Sequence, residues 1–162
     1  DELLRRLLEA GYDRVAFILA EPNEYYSDYL IAQAVIGATR LQYFGALKSK
    51  IITVRRKEIR PTALQSAIRR FDPQALVFNP FEELLDSLKP FSMPKVALLG
   101  DHYNDAYPGF DSQFELLGTY TAELLDSRLR SHDYGIPENP YRKVFVPPWN
   151  AAVELPKRSA DC

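Results

Sequence analysis

Short, unbroken apolar runs alternate with helical stripes along nearly the whole chain, and this alternation sets the fold class. The runs fall at 15–19 (Val-Ala-Phe-Ile-Leu), 51–54 (Ile-Ile-Thr-Val), 75–78 (Ala-Leu-Val-Phe), 96–99 (Val-Ala-Leu-Leu) and 144–146 (Val-Phe-Val). A run that does not alternate with polar residues reads as a strand covered on both faces, the usual state of a parallel strand. Between the runs the apolar spacing is helical. Leu3, Leu4, Leu7 and Leu8 make one face, with Gly11 at a helix C-terminal position. A second helix is expected over 27–41. Pro61 suits a first helical position, and Leu64, Ala67, Ile68 and Phe71 follow as a buried stripe, ended by Asp72-Pro73. Asn79-Pro80-Phe81-Glu82 reads as a helix start with Asn79 as the cap, and Ser112 with Glu115 forms a capping-box pattern. The helix it opens runs to about 131, with Phe114, Leu117, Thr121, Leu124 and Arg128 on one stripe. Strands alternating with helices predict a mostly parallel five-stranded sheet with helices on both faces, an α/β/α sandwich of three layers.

The 162 residues suffice for one domain with a genuine core, and a 46% hydrophobic fraction is that of an ordinary globular protein. Lys and Arg number 20 against 22 Asp and Glu, a net charge of −2, which is a poor footprint for nucleic-acid binding. The one basic cluster, Lys48, Lys50, Arg55, Arg56, Lys57 and Arg60, brackets a strand and reads as a solvated edge in preference to a phosphate-binding patch. Cys162 is alone, so no internal disulfide forms, in keeping with a reducing compartment. No apolar run reaches the roughly 20 residues that cross a bilayer, and the opening Asp-Glu-Leu-Leu-Arg-Arg lacks the pattern of a signal peptide. The missing initiator Met suggests a piece of a longer protein. After Trp149 the pattern is lost, so 1–149 is expected to be the lobe and 150–162 a tail.

In an open α/β sheet, ligands sit outside the carboxyl ends of the strands. Asp101 follows the fourth run there, and its carboxylate can accept hydrogen bonds from two hydroxyls; it could equally cap its own turn. Asn79 follows the third run and can donate as well as accept, beside its reading as a helix cap. Tyr25, Tyr26 and Tyr29 follow the first run, and their rings suit the apolar face of a sugar or the packing beneath the loop. Asp111 stands between a ligand role and a turn before the next helix. Trp149 reads as a packing anchor. Metal catalysis through Asp101, His102 and Asp105 would need a further cluster, and the second histidine, His132, stands alone in a polar stretch. No Gly-x-Ser-x-Gly, Gly-x-Gly-x-x-Gly or Walker sequence is present, so neither a nucleophile elbow nor a nucleotide loop is indicated.

The order of these segments resembles the effector-binding module of LacI/GalR-type transcription regulators. The resemblance runs from Leu7-Leu8-Glu9-Ala10-Gly11-Tyr12-Asp13-Arg14-Val15-Ala16-Phe17-Ile18, through Gln74-Ala75-Leu76-Val77-Phe78-Asn79 and Gly100-Asp101, to Phe110-Asp111-Ser112-Gln113 with Gly118, and to Tyr134-Gly135-Ile136-Pro137. It implies a Rossmann-like lobe of the type I periplasmic-binding-protein kind, the carboxyl-terminal part of a two-lobed sensor. A small polar effector, in most members a sugar or nucleobase, would lie between the lobes. It also implies a helix-turn-helix upstream that contacts operator DNA, a homodimer face at Tyr107 and Pro108, a cytoplasmic location, and neither enzymatic activity nor a metal or other cofactor. Three positions depart from the family's pattern. Tyr29 stands where an Arg is common, Asn79-Pro80 replaces Asn-Asp, and Ala34-Val35 replaces Gly-Phe. They point to stacking in place of ion pairing, or to an effector other than a standard hexose. A sugar-binding protein of a transporter and a small α/β hydrolase are the alternative readings of the same sequence.

Overall fold

A computed structural model of the chain describes residues 2–20, 26–40, 45–55, 58–99, 106–132, 135, 148–150 and 153–158. Among these residues five helices and four strands alternate: α1 (Glu2–Glu9), β1 (Arg14–Ala20), α2 (Tyr26–Arg40), β2 (Lys48–Val54), α3 (Pro61–Phe71), β3 (Ala75–Phe78), α4 (Glu82–Leu88), β4 (Lys95–Ala97) and α5 (Phe114–Arg130). The strands form one sheet in the order β2-β1-β3-β4. All three pairings are parallel, with Phe17 opposite both Ile51 and Val77, and Phe78 opposite Ala97. The expected parallel sheet is therefore present, with four strands among the described residues where five were expected. The fifth run, 144–146, lies outside them.

Side chains along a strand point alternately to the two faces, and here each face carries its own core. On one face Val15, Phe17, Leu19, Val77 and Val96 pack with Leu3, Leu4 and Leu7 of α1 and Val35 of α2. On the other, Ala16, Ile18, Ile52, Val54, Leu76 and Phe78 pack with Leu64 and Ile68 of α3 and Leu84 and Leu88 of α4. That makes three layers, α1 and α2 over the sheet and α3 and α4 beneath it. Phe17, Ile18, Leu7 and Phe78 are fully buried, and each such side chain stabilises the fold by about 1.5–3 kcal/mol.

Helix ends follow the sequence in part. α1 closes as expected at Gly11, whose φ of 89° lets the Tyr12 N–H donate to the Leu7 carbonyl. α3 begins at Pro61 and ends at Asp72, in a left-handed conformation with its N–H donating to the Ile68 carbonyl. The two expected side-chain caps do not form. α4 starts at Glu82 with Phe81 as its N-cap, so Asn79 and Pro80 precede the helix. The reason is packing: Phe81 stays extended and puts its ring into the core beneath the sheet. At α5 the N-cap is Gln113, in a left-handed conformation, and Ser112 is turned inward and buried instead of capping.

Beyond β4 the chain returns to the sheet. Gly109 makes a parallel bridge with Ala97, and Phe110 an antiparallel one with Trp149. Trp149 anchors the end as expected, its ring edge-to-face with Phe110 at 5.3 Å and beneath the Arg6 guanidinium at 4.8 Å. The segment after it is held to the lobe. Leu155 packs on the α1 side, the Tyr12 hydroxyl donates to the Pro156 carbonyl at 2.5 Å, and the Arg158 N–H donates to the Ala10 carbonyl.

Candidate functional site

Because all strands run one way, their carboxyl ends share one edge of the sheet. The strand order reverses between β1 and β3, and such a switch point opens a crevice at that edge. Asn79 follows β3 directly at this switch point and is half-buried. The Leu98 N–H donates to the Phe78 carbonyl at 2.8 Å, so the chain leaving β4 runs beside the chain leaving β3. Asp101 continues from that point, two residues past Leu99, and lies outside the described residues. So does Tyr25. Tyr29 stands in the first turn of α2, at the same edge, with its backbone described and its side chain not.

Asp111 reaches the edge by another route. Gly109 lies alongside Ala97, the last residue of β4, and the parallel direction carries Asp111 past the carboxyl end one strand position further out. Its Oδ1 accepts the Gln113 N–H at 3.0 Å, the turn-forming role weighed from the sequence, and its other oxygen has no partner among the described residues. Next to it, the buried Ser112 hydroxyl has no hydrogen-bond partner among the described residues. The close approach of the two segments depends on Gly109, where a Cβ would stand 2.0 Å from the Ala97 carbonyl oxygen.

Tyr107 and Pro108 take an inward part. The Tyr107 ring packs edge-to-face on Phe78 at 5.5 Å, and the buried Pro108 accepts the Ala97 N–H at its carbonyl. No group of three or more metal-ligating side chains exists among the described residues. No described helix is long and apolar enough to cross a membrane.

Two features were not read as functional from the sequence. Arg55 and Arg60 line a cavity at the carboxyl end of β2; their clustering with other basic residues was the available signal. Helix α5 has no buried residue, and its large apolar side chains stand in water, with Phe114 61%, Leu125 60% and Leu129 51% exposed. Its apolar stripe was legible, but its lack of cover was not.

No protein-family model matches the chain, and no curated protein matches its sequence. Among solved structures it is similar to a LacI family transcriptional regulator from Bifidobacterium animalis subsp. lactis, with a TM-score of 0.59 and 15% sequence identity, over 90% of this chain. The chain shares that fold. It spans 58% of the length of that structure, so the regulator is considerably longer than the part matched here.

Proposed function

We propose that this chain is the ligand-sensing lobe of a LacI/GalR-type transcription regulator, non-enzymatic and cytoplasmic, which binds a small polar effector between this lobe and a second one. The observation that carries this reading is the pairing of an open carboxyl edge with an uncovered apolar helix. A crevice on one lobe is half a site, because small ligands are held by enclosure. Helix α5 turns a broad apolar arc, from Tyr120 through Leu117, Leu124 and Phe114 to Leu125 and Leu129, toward solvent. Contiguous apolar surface of this kind marks an interaction site, and a second lobe of the same polypeptide would cover it. The fold likeness to a longer regulator agrees with this.

Asn79, Asp101 and Asp111 would supply hydrogen bonds to hydroxyls, and Tyr25 and Tyr29 flat faces for a sugar ring. Effector binding would favour one angle between the lobes and so change the spacing of two DNA-binding heads in a homodimer. Tyr107, half-buried with its ring against Phe78, would contribute to the dimer face together with Pro108. The test is a longer polypeptide carrying the preceding segment. Neutral sugars are titrated by calorimetry and binding to its promoter DNA is followed by gel shift, with Asp101→Ala expected to weaken effector binding by about 1–3 kcal/mol. DNA binding that responds to no effector, or a monomeric protein unaffected by Tyr107→Asp, would count against the reading.

A further inference from the structure

β2, an edge strand among the described residues, and the first turns of α3 border a groove, open on its solvent side, of about 420 Å³ that neither Asn79 nor Asp111 lines. We propose that this groove binds a small amphipathic organic anion, a carboxylate or phosphate ester with a short apolar body, independently of the effector crevice.

Its floor and rim differ in chemistry. Ile52, Val54 and Leu64, buried from the sheet and from α3, form an apolar floor. Arg55, Arg60 and Glu58 form the rim, two guanidinium groups against one carboxylate. The volume lies in the range of small-ligand sites, which pair mostly apolar walls with a few placed polar groups. Arg60 makes no ion pair among the described residues, and the first turn of α3 brings no acidic side chain to the cavity. The Arg55–Glu58 pair is 3.9 Å apart with both side chains more than half exposed, so that pair contributes little to stability. A planar guanidinium can take a carboxylate or phosphate through two parallel hydrogen bonds.

The neighbouring cavity sharpens the assignment. Across Glu58 and Ile59 lies a second hollow lined by Glu83 and Asp86 with Pro61, Gln65 and Ser87. That hollow is acidic and would repel the ligand the first attracts. An anion is thus directed to one side of the Glu58–Ile59 ridge.

The experiment is a ¹H–¹⁵N NMR titration of the full chain with hexanoate, with hexanol and inorganic phosphate as controls. Hexanoate is expected to give saturable shifts confined to residues 52–55 and 58–67, and to bind more tightly than either control. Replacing Arg55→Gln and Arg60→Gln together should weaken it about tenfold or more, since charge-assisted hydrogen bonds are the stronger kind, and Glu58→Gln should tighten it about two- to threefold by removing an exposed like charge from the rim. All three side chains are exposed, so the fold survives their replacement, which an unchanged thermal midpoint checks. Hexanol binding as well as hexanoate, shifts gathered on α5 instead of the groove, affinity unmoved by the double variant, or no saturable hexanoate binding at millimolar concentration would each overturn the proposal. None of these outcomes depends on the effector crevice or on a second lobe.

Discussion

A methyl group at position 109 would meet the backbone of Ala97, with its carbonyl oxygen at 2.0 Å and its carbonyl carbon at 2.8 Å. No rotamer change relieves a clash with backbone. Gly109→Ala should therefore pull residues 108–111 off β4 and cost at least about 2 kcal/mol in urea unfolding, the upper range for overpacking. A loss under about 0.5 kcal/mol would mean that the bridge is not formed. Tyr12 ties the chain at a second point, through its hydroxyl on the Pro156 carbonyl. Burial raises the phenol above its ordinary value of 10.0. A raised value means that the folded state holds the proton more firmly than the unfolded one. The stabilisation is thus fully present below pH 10.0 and is lost as pH rises through the folded value. Tyr12→Phe is expected to cost about 0.5–1.5 kcal/mol at neutral pH and to flatten the decline of stability above pH 10. A variant as alkali-sensitive as the parent would exclude Tyr12 as its source. Neither contact could be read from the sequence. Gly109 and Ala97 are brought level only by the sheet, and residues 12 and 156 are neighbours only after folding.

At the scale of elements, helices that face the sheet and the helix that does not behave differently. α1, α3 and α4 each bury an apolar stripe; the positions of α1 and α3 followed from spacing and end signals, while α4 was read only from a cap pattern that does not form. α5 has a comparable stripe over 17 residues and buries none of it. Most of a helix's stability in a protein comes from packing its apolar face, so the amides of α5 are expected to exchange with deuterium far faster than those of β1 and β3. Leu117→Glu with Leu124→Glu should change the stability of this chain by no more than about 0.5 kcal/mol, as for surface positions, while reducing self-association at high concentration. A loss of several kcal/mol would show that α5 packs on this lobe. The caps teach the complementary lesson. Asn79 and Ser112 carry good capping side chains, yet Phe81 and the Asp111–Gln113 turn set where the helices begin. Burying a ring or closing a turn outweighs a cap worth about 1 kcal/mol.

For the whole molecule, the apolar runs and the helical stripes determined the parallel α/β class, the chain positions of the four described strands and the buried stripes of α1 and α3. Local periodicity carries that information because a strand buried on both faces has no polar alternation and an amphipathic helix must repeat every 3.6 residues. Strand direction then put the carboxyl ends of the strands at one edge, and Asn79 was legible as an edge residue for that reason. The strand order β2-β1-β3-β4, which puts the crevice between β1 and β3, was not legible, because sequence order does not specify spatial order. Nor was the pairing of 109–110 with residues 97 and 149, the inward turn of Tyr107 and Ser112, or the basic cavity between Arg55 and Arg60. These depend on contacts between residues far apart in the chain, and tertiary packing alone decides them. The same holds for α5: its stripe is written in the sequence, but whether a stripe is covered depends on what else stands beside it in space.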